Sequence, residues 1–121
     1  MPLQIELPWP NTVLWPNVSR KTHWSKRGAV AREARAYAKY VTLELSARDR
    51  KLYKRVAYHL IVRVYPATAR KFDLDGCLSA CKPLLDGVCD ALGIDDFSFN
   101  PITIFREPKE KEGRIVVEIR E

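Results

Sequence analysis

A chain of 121 residues, 46% of them hydrophobic, has the length and apolar content of one domain with a core that needs no disulfide staples. Its net charge of +6 and pI near 9.4 favour a polyanionic partner. No apolar run approaches the roughly 20 residues of a membrane span, and the first residues lack a charged-then-apolar signal pattern, so the expectation is a cytoplasmic protein with no membrane partner.

A first strand is predicted at Leu3 to Leu7, where apolar and polar residues alternate until Pro8-Trp9-Pro10 stops it. Residues 8–25 hold three prolines, all three tryptophans and two asparagines, and read as a loop whose aromatics need either burial or a ligand. From Gly28 to Ala47 the pattern turns helical, with Val30, Ala34, Tyr37, Val41 and Leu45 on one face and Arg32, Arg35 and Lys39 opposite. Strict alternation from Arg55 to Tyr65 predicts a strand with Val56, Tyr58, Leu60, Val62 and Val64 facing one way. A second helix is expected from Asp75 to Leu92, closed by Gly93 and kinked or restarted near Lys82 because Pro83 lies inside it. Ile102 to Arg106 and Arg114 to Arg120 complete the set as strands joined by a charged turn. The order β-α-β-α-β-β implies an α+β fold, a single domain with one mixed sheet and helices on one face.

Charge is unevenly placed along this frame. Twelve Lys and Arg lie between Arg20 and Arg55, Arg50 and Lys51 among them, against only Glu33, Glu44 and Asp49. Six of the seven aspartates fall between Asp73 and Asp96, where Lys82 is the one cation. Two carboxylates 4 Å apart repel by about 4 kcal/mol at an effective dielectric near 20, so crowded acids call for a counter-charge. A hard divalent cation supplies it, and suits phosphoryl transfer. Asp73-Leu74-Asp75 is spaced so that an extended or capping backbone can aim both carboxylates at one point, and Asp95-Asp96 follows the same helix. Asp75, Ser79, Lys82 and Asp86 share one polar helical face, which aligns an ammonium with the acids. The plainer alternative makes Asp75 a helix cap and Lys82–Asp86 a surface pair.

Three further features carry less. Cys77, Cys81 and Cys89 share an apolar stripe and read as small core residues rather than a zinc site with His59. His59 itself reads as a structural histidine. Glu107-Pro108-Lys109 has the E-x-K spacing of another nuclease superfamily but falls in a proline-containing turn instead of a strand.

Leu7-Pro8-Trp9-Pro10, Pro16-Asn17 with His23-Trp24, Arg70-Lys71-Phe72-Asp73-Leu74-Asp75 and the later Asp95-Asp96 together resemble the RusA family of Holliday-junction resolvases, endonucleases common in prophages, over nearly the whole chain. The resemblance implies a Mg²⁺-dependent (or Mn²⁺-dependent) nuclease that resolves four-way junctions by paired nicks. It implies Asp73, Asp75 and Asp96 as metal ligands, Asp95 as their neighbour or substitute, and Lys82 as the catalytic lysine. It also implies a homodimer, because two-fold symmetry in the protein then matches the symmetry of the branched DNA. Arg20, Lys21, Lys26, Arg27, Arg32, Arg35, Lys39, Arg70 and Lys71 are the expected contacts to the DNA backbone. Two positions depart from the family pattern: Gly76 stands where an asparagine usually follows D-x-D, and Ser79 where the lysine usually falls, three residues before Lys82. The alternative function is that of a branched-DNA-binding phage protein without catalysis.

Overall fold

Alternating apolar residues build a four-stranded mixed sheet in this computed structural model, which describes residues 2–49 and 52–121. The strands are β1 (Leu3–Leu7), β2 (Tyr58–Tyr65), β3 (Phe99–Arg106) and β4 (Arg114–Arg120), in the spatial order β1-β4-β2-β3. Strand β4 runs antiparallel to both β1 and β2, whereas β3 lies parallel to β2. A parallel neighbour requires a long crossover. Here α3 (Leu74–Ala80) and α4 (Lys82–Leu92) provide it. Preceding them are a one-turn helix α1 (Pro16–Ser19) and the 26-residue α2 (Trp24–Asp49).

The period of two puts Ile5, Leu60, Val62, Val64, Ile115 and Val117 on one sheet face, each with no exposed surface, where they pack against Cys77, Cys81, Leu84 and Val88 of the crossover helices. At roughly 1.5–3 kcal/mol per fully buried aliphatic side chain, this layer is the main source of folding energy. The three cysteines are buried and unpaired, as small core residues. On the opposite sheet face, Arg63, Arg114 and Arg120 pair with Glu107, Glu110 and Glu118. His59 is hydrogen-bonded there to Thr103 Oγ1 at 2.8 Å. That face neutralises its own charge.

Several expectations need correction. Residues 8–25 are not all loop: a 3-10 turn at Thr12–Leu14, α1 and the first turn of α2 fall within them. Strand β2 starts at Tyr58, so Val56 lies outside it and is 88% exposed; β3 starts three residues before Ile102. The buried face of α2 is rotated from the one expected. Tyr37 is half exposed, whereas Ala38 and Thr42 are completely buried. The cause is α4, where a Cβ on Gly87 would sit 2.2 Å from the carbonyl oxygen of Arg35 and 2.9 Å from Ala38 Cβ. Helices that meet at backbone distance select small residues, and small residues leave little trace in a hydrophobic pattern.

The expected break in the second helix is present: α3 ends at Ala80, Cys81 joins the two, and Pro83 occupies the first turn of α4, where its missing N–H costs nothing. Gly93 closes α4 in the left-handed conformation with φ of 71°. Glu107 to Lys109 follow β3 as an irregular segment, so the E-x-K spacing does fall outside a strand. No described helix is long and apolar enough to cross a membrane. Arg50 and Lys51, counted above in the basic half, lie outside the described residues.

Candidate functional site

Three aromatic residues hold the turn that carries Asp73 and Asp75. The Phe72 ring meets Trp9 edge-on at 5.5 Å and Trp15 edge-on at 5.9 Å, while the two indoles stack on each other at 5.9 Å. Arg106, at the end of β3, donates from Nη2 to the Phe72 carbonyl at 2.9 Å and lays its guanidinium 5.0 Å from the same ring. Trp15 and Pro16 rest against Gly76, so α1 packs beside the first turn of α3. Two of the tryptophans that looked like loop residues therefore form a bracket for the acidic turn. Arg106 completes it, and nothing in the sequence signalled that, because the contact spans 34 residues.

Within the bracket Asp73 is the N-cap of α3, in extended conformation (φ −85°, ψ 137°), yet its side chain makes no capping hydrogen bond. Aspartate at this position ordinarily accepts from the N–H groups of the first turn, a bond worth about 1 kcal/mol. Asp75 is exposed one residue inside the helix. Neither carboxylate has a hydrogen bond or ion pair among the described residues. Arg70 and Lys71, also exposed, immediately precede them.

The other acids behave differently. Lys82 Nζ donates to Asp86 Oδ1 at 2.5 Å and to Asp96 Oδ2 at 2.6 Å. On α2, Arg35 forms a bidentate pair with Asp90, Nε to Oδ2 at 2.6 Å and Nη2 to Oδ1 at 2.8 Å, and approaches Asp86 at 4.0 Å. Asp95 accepts from the Phe97 N–H at 2.9 Å and so caps the 3-10 turn Asp96–Ser98. These groups, with Cys89 and Ile94, line an open polar groove of about 310 Å³ between α2 and α4. Hydrogen bonds to Asp86 and Asp96 hold the Lys82 ammonium above the usual lysine range. Lys82 in turn holds Asp96 below the usual carboxylate range, and Arg35 does the same for Asp90. Cys89 is pushed up to about 12, chiefly by burial, so its thiol stays neutral and is a poor ligand or nucleophile. Arg35 and Asp90 are 55 residues apart, and no spacing rule connects them.

A divalent cation prefers carboxylate oxygens, and this region is rich in them. Among the described residues, however, no three of His, Cys, Asp and Glu converge closely enough to form a closed metal cage. Mg²⁺ seldom requires one: it is commonly bound by one or two carboxylates together with waters and substrate phosphates. The uncommitted pair Asp73 and Asp75 fits that open kind of site. Asp96 and Asp95 do not join them in one cluster, being engaged by Lys82 and by the 3-10 turn.

Comparison with known proteins adds one finding. No protein-family model matches the chain. It is 32% identical over 115 residues to an uncharacterized protein of Xylella fastidiosa (strain Temecula1), an alignment spanning 95% of this chain and 74% of that protein. The two belong to one family. In this member of it, the residues expected to meet a polyanion fall into two groups. Lys21, Lys26, Arg32, Lys39, Arg70 and Lys71 are exposed. Arg20 is tethered to Asn17 Oδ1 at 3.1 Å, Arg27 is half-buried beside Ser19, and Arg35 is committed to Asp90. The basic half of the chain thus supplies fewer free cations than its composition suggests.

Proposed function

We propose that this protein is a structure-selective endonuclease acting on branched DNA, as its resemblance to RusA-type resolvases implies. The observation that carries the reading is Asp73, an N-cap aspartate that forgoes its cap and stands with Asp75, both unpaired among the described residues, on a turn braced by Trp9, Trp15, Phe72 and Arg106. Rigid backbone under uncommitted charge is what a site needs when its ligand supplies the missing partner. Asp73 and Asp75 would hold Mg²⁺ or Mn²⁺, with Asp96 and Asp95 as the further candidates, and the bound ion would contribute positive charge against a phosphate. Lys82 keeps its own charge through Asp86 and Asp96 and offers a fixed ammonium at the neighbouring groove. Exposed Arg70, Lys71, Arg32 and Lys39 attract the DNA backbone, which makes binding strongly dependent on salt. A homodimer, working on two opposed strands of a junction in the cytoplasm, belongs to the same reading.

The pairing of Asp96 with Lys82 favours a second reading, a branched-DNA-binding protein without catalysis. One assay separates the two. A labelled four-way junction is incubated with the protein in Mg²⁺, Mn²⁺ or EDTA. Paired nicks that need the metal, and that vanish in Asp75→Asn while junction binding persists, support the nuclease. A junction that is bound but left intact under every metal supports the binding protein.

A further inference from the structure

Trp24 is the tryptophan that the fold does not use. Trp9 and Trp15 pack against the core, whereas Trp24 opens α2 with 72% of its surface exposed. An indole of that size left in water costs free energy unless something covers it. Its only ring partner among the described residues is His23, whose imidazole lies 5.5 Å away and is tilted by 31° to the indole. The imidazole is held in place: Nδ1 accepts from the Ser25 N–H at 3.2 Å and lies 2.7 Å from Ser25 Oγ. With Nδ1 accepting, the neutral ring carries its proton on Nε2.

The surroundings state the sign of the missing partner. Residues 7–32 contain five cations and no acid. Lys21 and Lys26 flank the ring pair and are exposed. Arg27 adds positive charge in the same turn, and its buried Nε has no hydrogen-bond partner among the described residues. Arg32 lies back along the helix against Gly28, where a Cβ would meet its Nη1 at 3.0 Å. Trp24, Gly28, Arg32 and Arg35 recur every three or four residues and so share one side of α2. Arg35 lines the acidic groove, about 16 Å along the helix from Trp24 at 1.5 Å per residue.

We infer that Trp24 and His23 form a stacking platform for an unpaired nucleobase, with Lys21, Lys26 and Arg32 engaging the adjoining phosphates. Aromatic faces accept any base, and cations beside them take the backbone, which is how single strands are held without sequence preference. An intact duplex buries its base faces in the stack; a single strand exposes them, and so does the open centre of a four-way junction. The inference rests on the proposed nucleic-acid function and assigns it a second contact, separate from the aspartates.

The test measures equilibrium binding in EDTA to a four-way junction, a single-stranded oligonucleotide and a linear duplex of the same sequence. Trp24→Ala is expected to weaken the first two by roughly tenfold and leave the duplex unchanged, while Trp24→Phe restores most of the loss. Lys21→Gln is expected to weaken all three and lower the slope of log affinity against log salt by about 1. Unchanged junction and single-strand binding in Trp24→Ala, or an equal loss on duplex, overturns the platform and leaves the nuclease reading standing. A Trp24→Ala protein that instead changes its oligomeric state in sedimentation also overturns it, by showing that a protein surface covers the ring. Failure of the wild-type protein to bind any of the three DNAs overturns both.

Discussion

The two acidic regions of this molecule differ in what the chain does with its charge. At residues 86–96, every aspartate has a partner within the fold: Asp86 and Asp96 share Lys82, Asp90 takes Arg35, and Asp95 caps a turn. At residues 73–75 neither aspartate has one among the described residues, although the backbone beneath them is gripped by three aromatic rings and an arginine. Charge that is paired internally serves the fold or orients its neighbours. Charge left unpaired on a braced support is free to meet a partner from outside. The contrast locates the better candidate site at the turn, even though the groove holds more ionisable groups.

The largest effect should come from the turn itself. Asp73→Asn is expected to lower junction nicking on the order of 100-fold or more, as loss of a group that stabilises a reacting phosphate does. Its thermal stability should stay within about 0.5 kcal/mol of wild type, since no internal bond is lost. A clear drop in the urea midpoint would mean that Asp73 is structural after all, and the contrast between the regions would go.

Gly87→Ala attacks the groove through its foundation. The added Cβ would clash with the Arg35 carbonyl, and overpacking of this kind costs about 1–3 kcal/mol, readable as a lower urea midpoint at unchanged slope. The Asp73 turn, braced from elsewhere, should keep its Trp9–Trp15–Phe72 contacts, visible as unchanged near-ultraviolet circular dichroism below the transition.

Lys82→Met tests pairing directly. It removes two solvent-accessible ion pairs, to Asp86 and Asp96, and should change stability by less than about 1 kcal/mol. It should also return the Asp96 carboxyl toward the ordinary range, since Lys82 is the main cause of its depression. Carbon-13 chemical shifts of the side-chain carboxyl across a pH series would show this. An Asp96 that titrates identically in both proteins would leave the assigned bridge without support.

Smallest of all is the acid limb of stability. Because Asp96 and Asp90 sit below the usual carboxylate range when folded, the unfolded chain binds their protons first. Their contribution is therefore fully present above the ordinary aspartate value near pH 4 and fades as pH falls through the depressed folded values. Both groups are exposed, so the effect is screened, and 0.5 M salt should reduce it further. Urea melts at pH 3 and pH 6, in wild type and Lys82→Met, should differ least in the variant.

Much of the frame was legible because period-two alternation and terminator residues report local physics. The strands at Leu3–Leu7 and Arg114–Arg120, the break before Pro83 and the Gly93 cap follow from such signals. Failures cluster where the cause is another element. Ala38 is buried because Gly87 of α4 lies against it, and Thr42 is buried one turn further along; an alanine is too small and a threonine too polar to announce it. Val56 alternates correctly but falls outside the ladder. At the candidate site, the sequence identified the aspartates and the i,i+4 link between Lys82 and Asp86. It did not reveal which acids are already neutralised. That depends on Arg35 meeting Asp90 and on Lys82 reaching Asp96, contacts between distant parts of the chain.

The close approach at Gly87 has a mechanical consequence. Where two helices touch through backbone atoms, no layer of flexible side chains lies between them to absorb displacement. A displacement of α2 at Arg35 and Ala38 is handed to α4 with little slack, and the spacing at which Arg35 meets Asp90 is held by backbone instead of by rotamers. The helix pair works as a gauge block, and the thickness it sets is that of two helix backbones in contact.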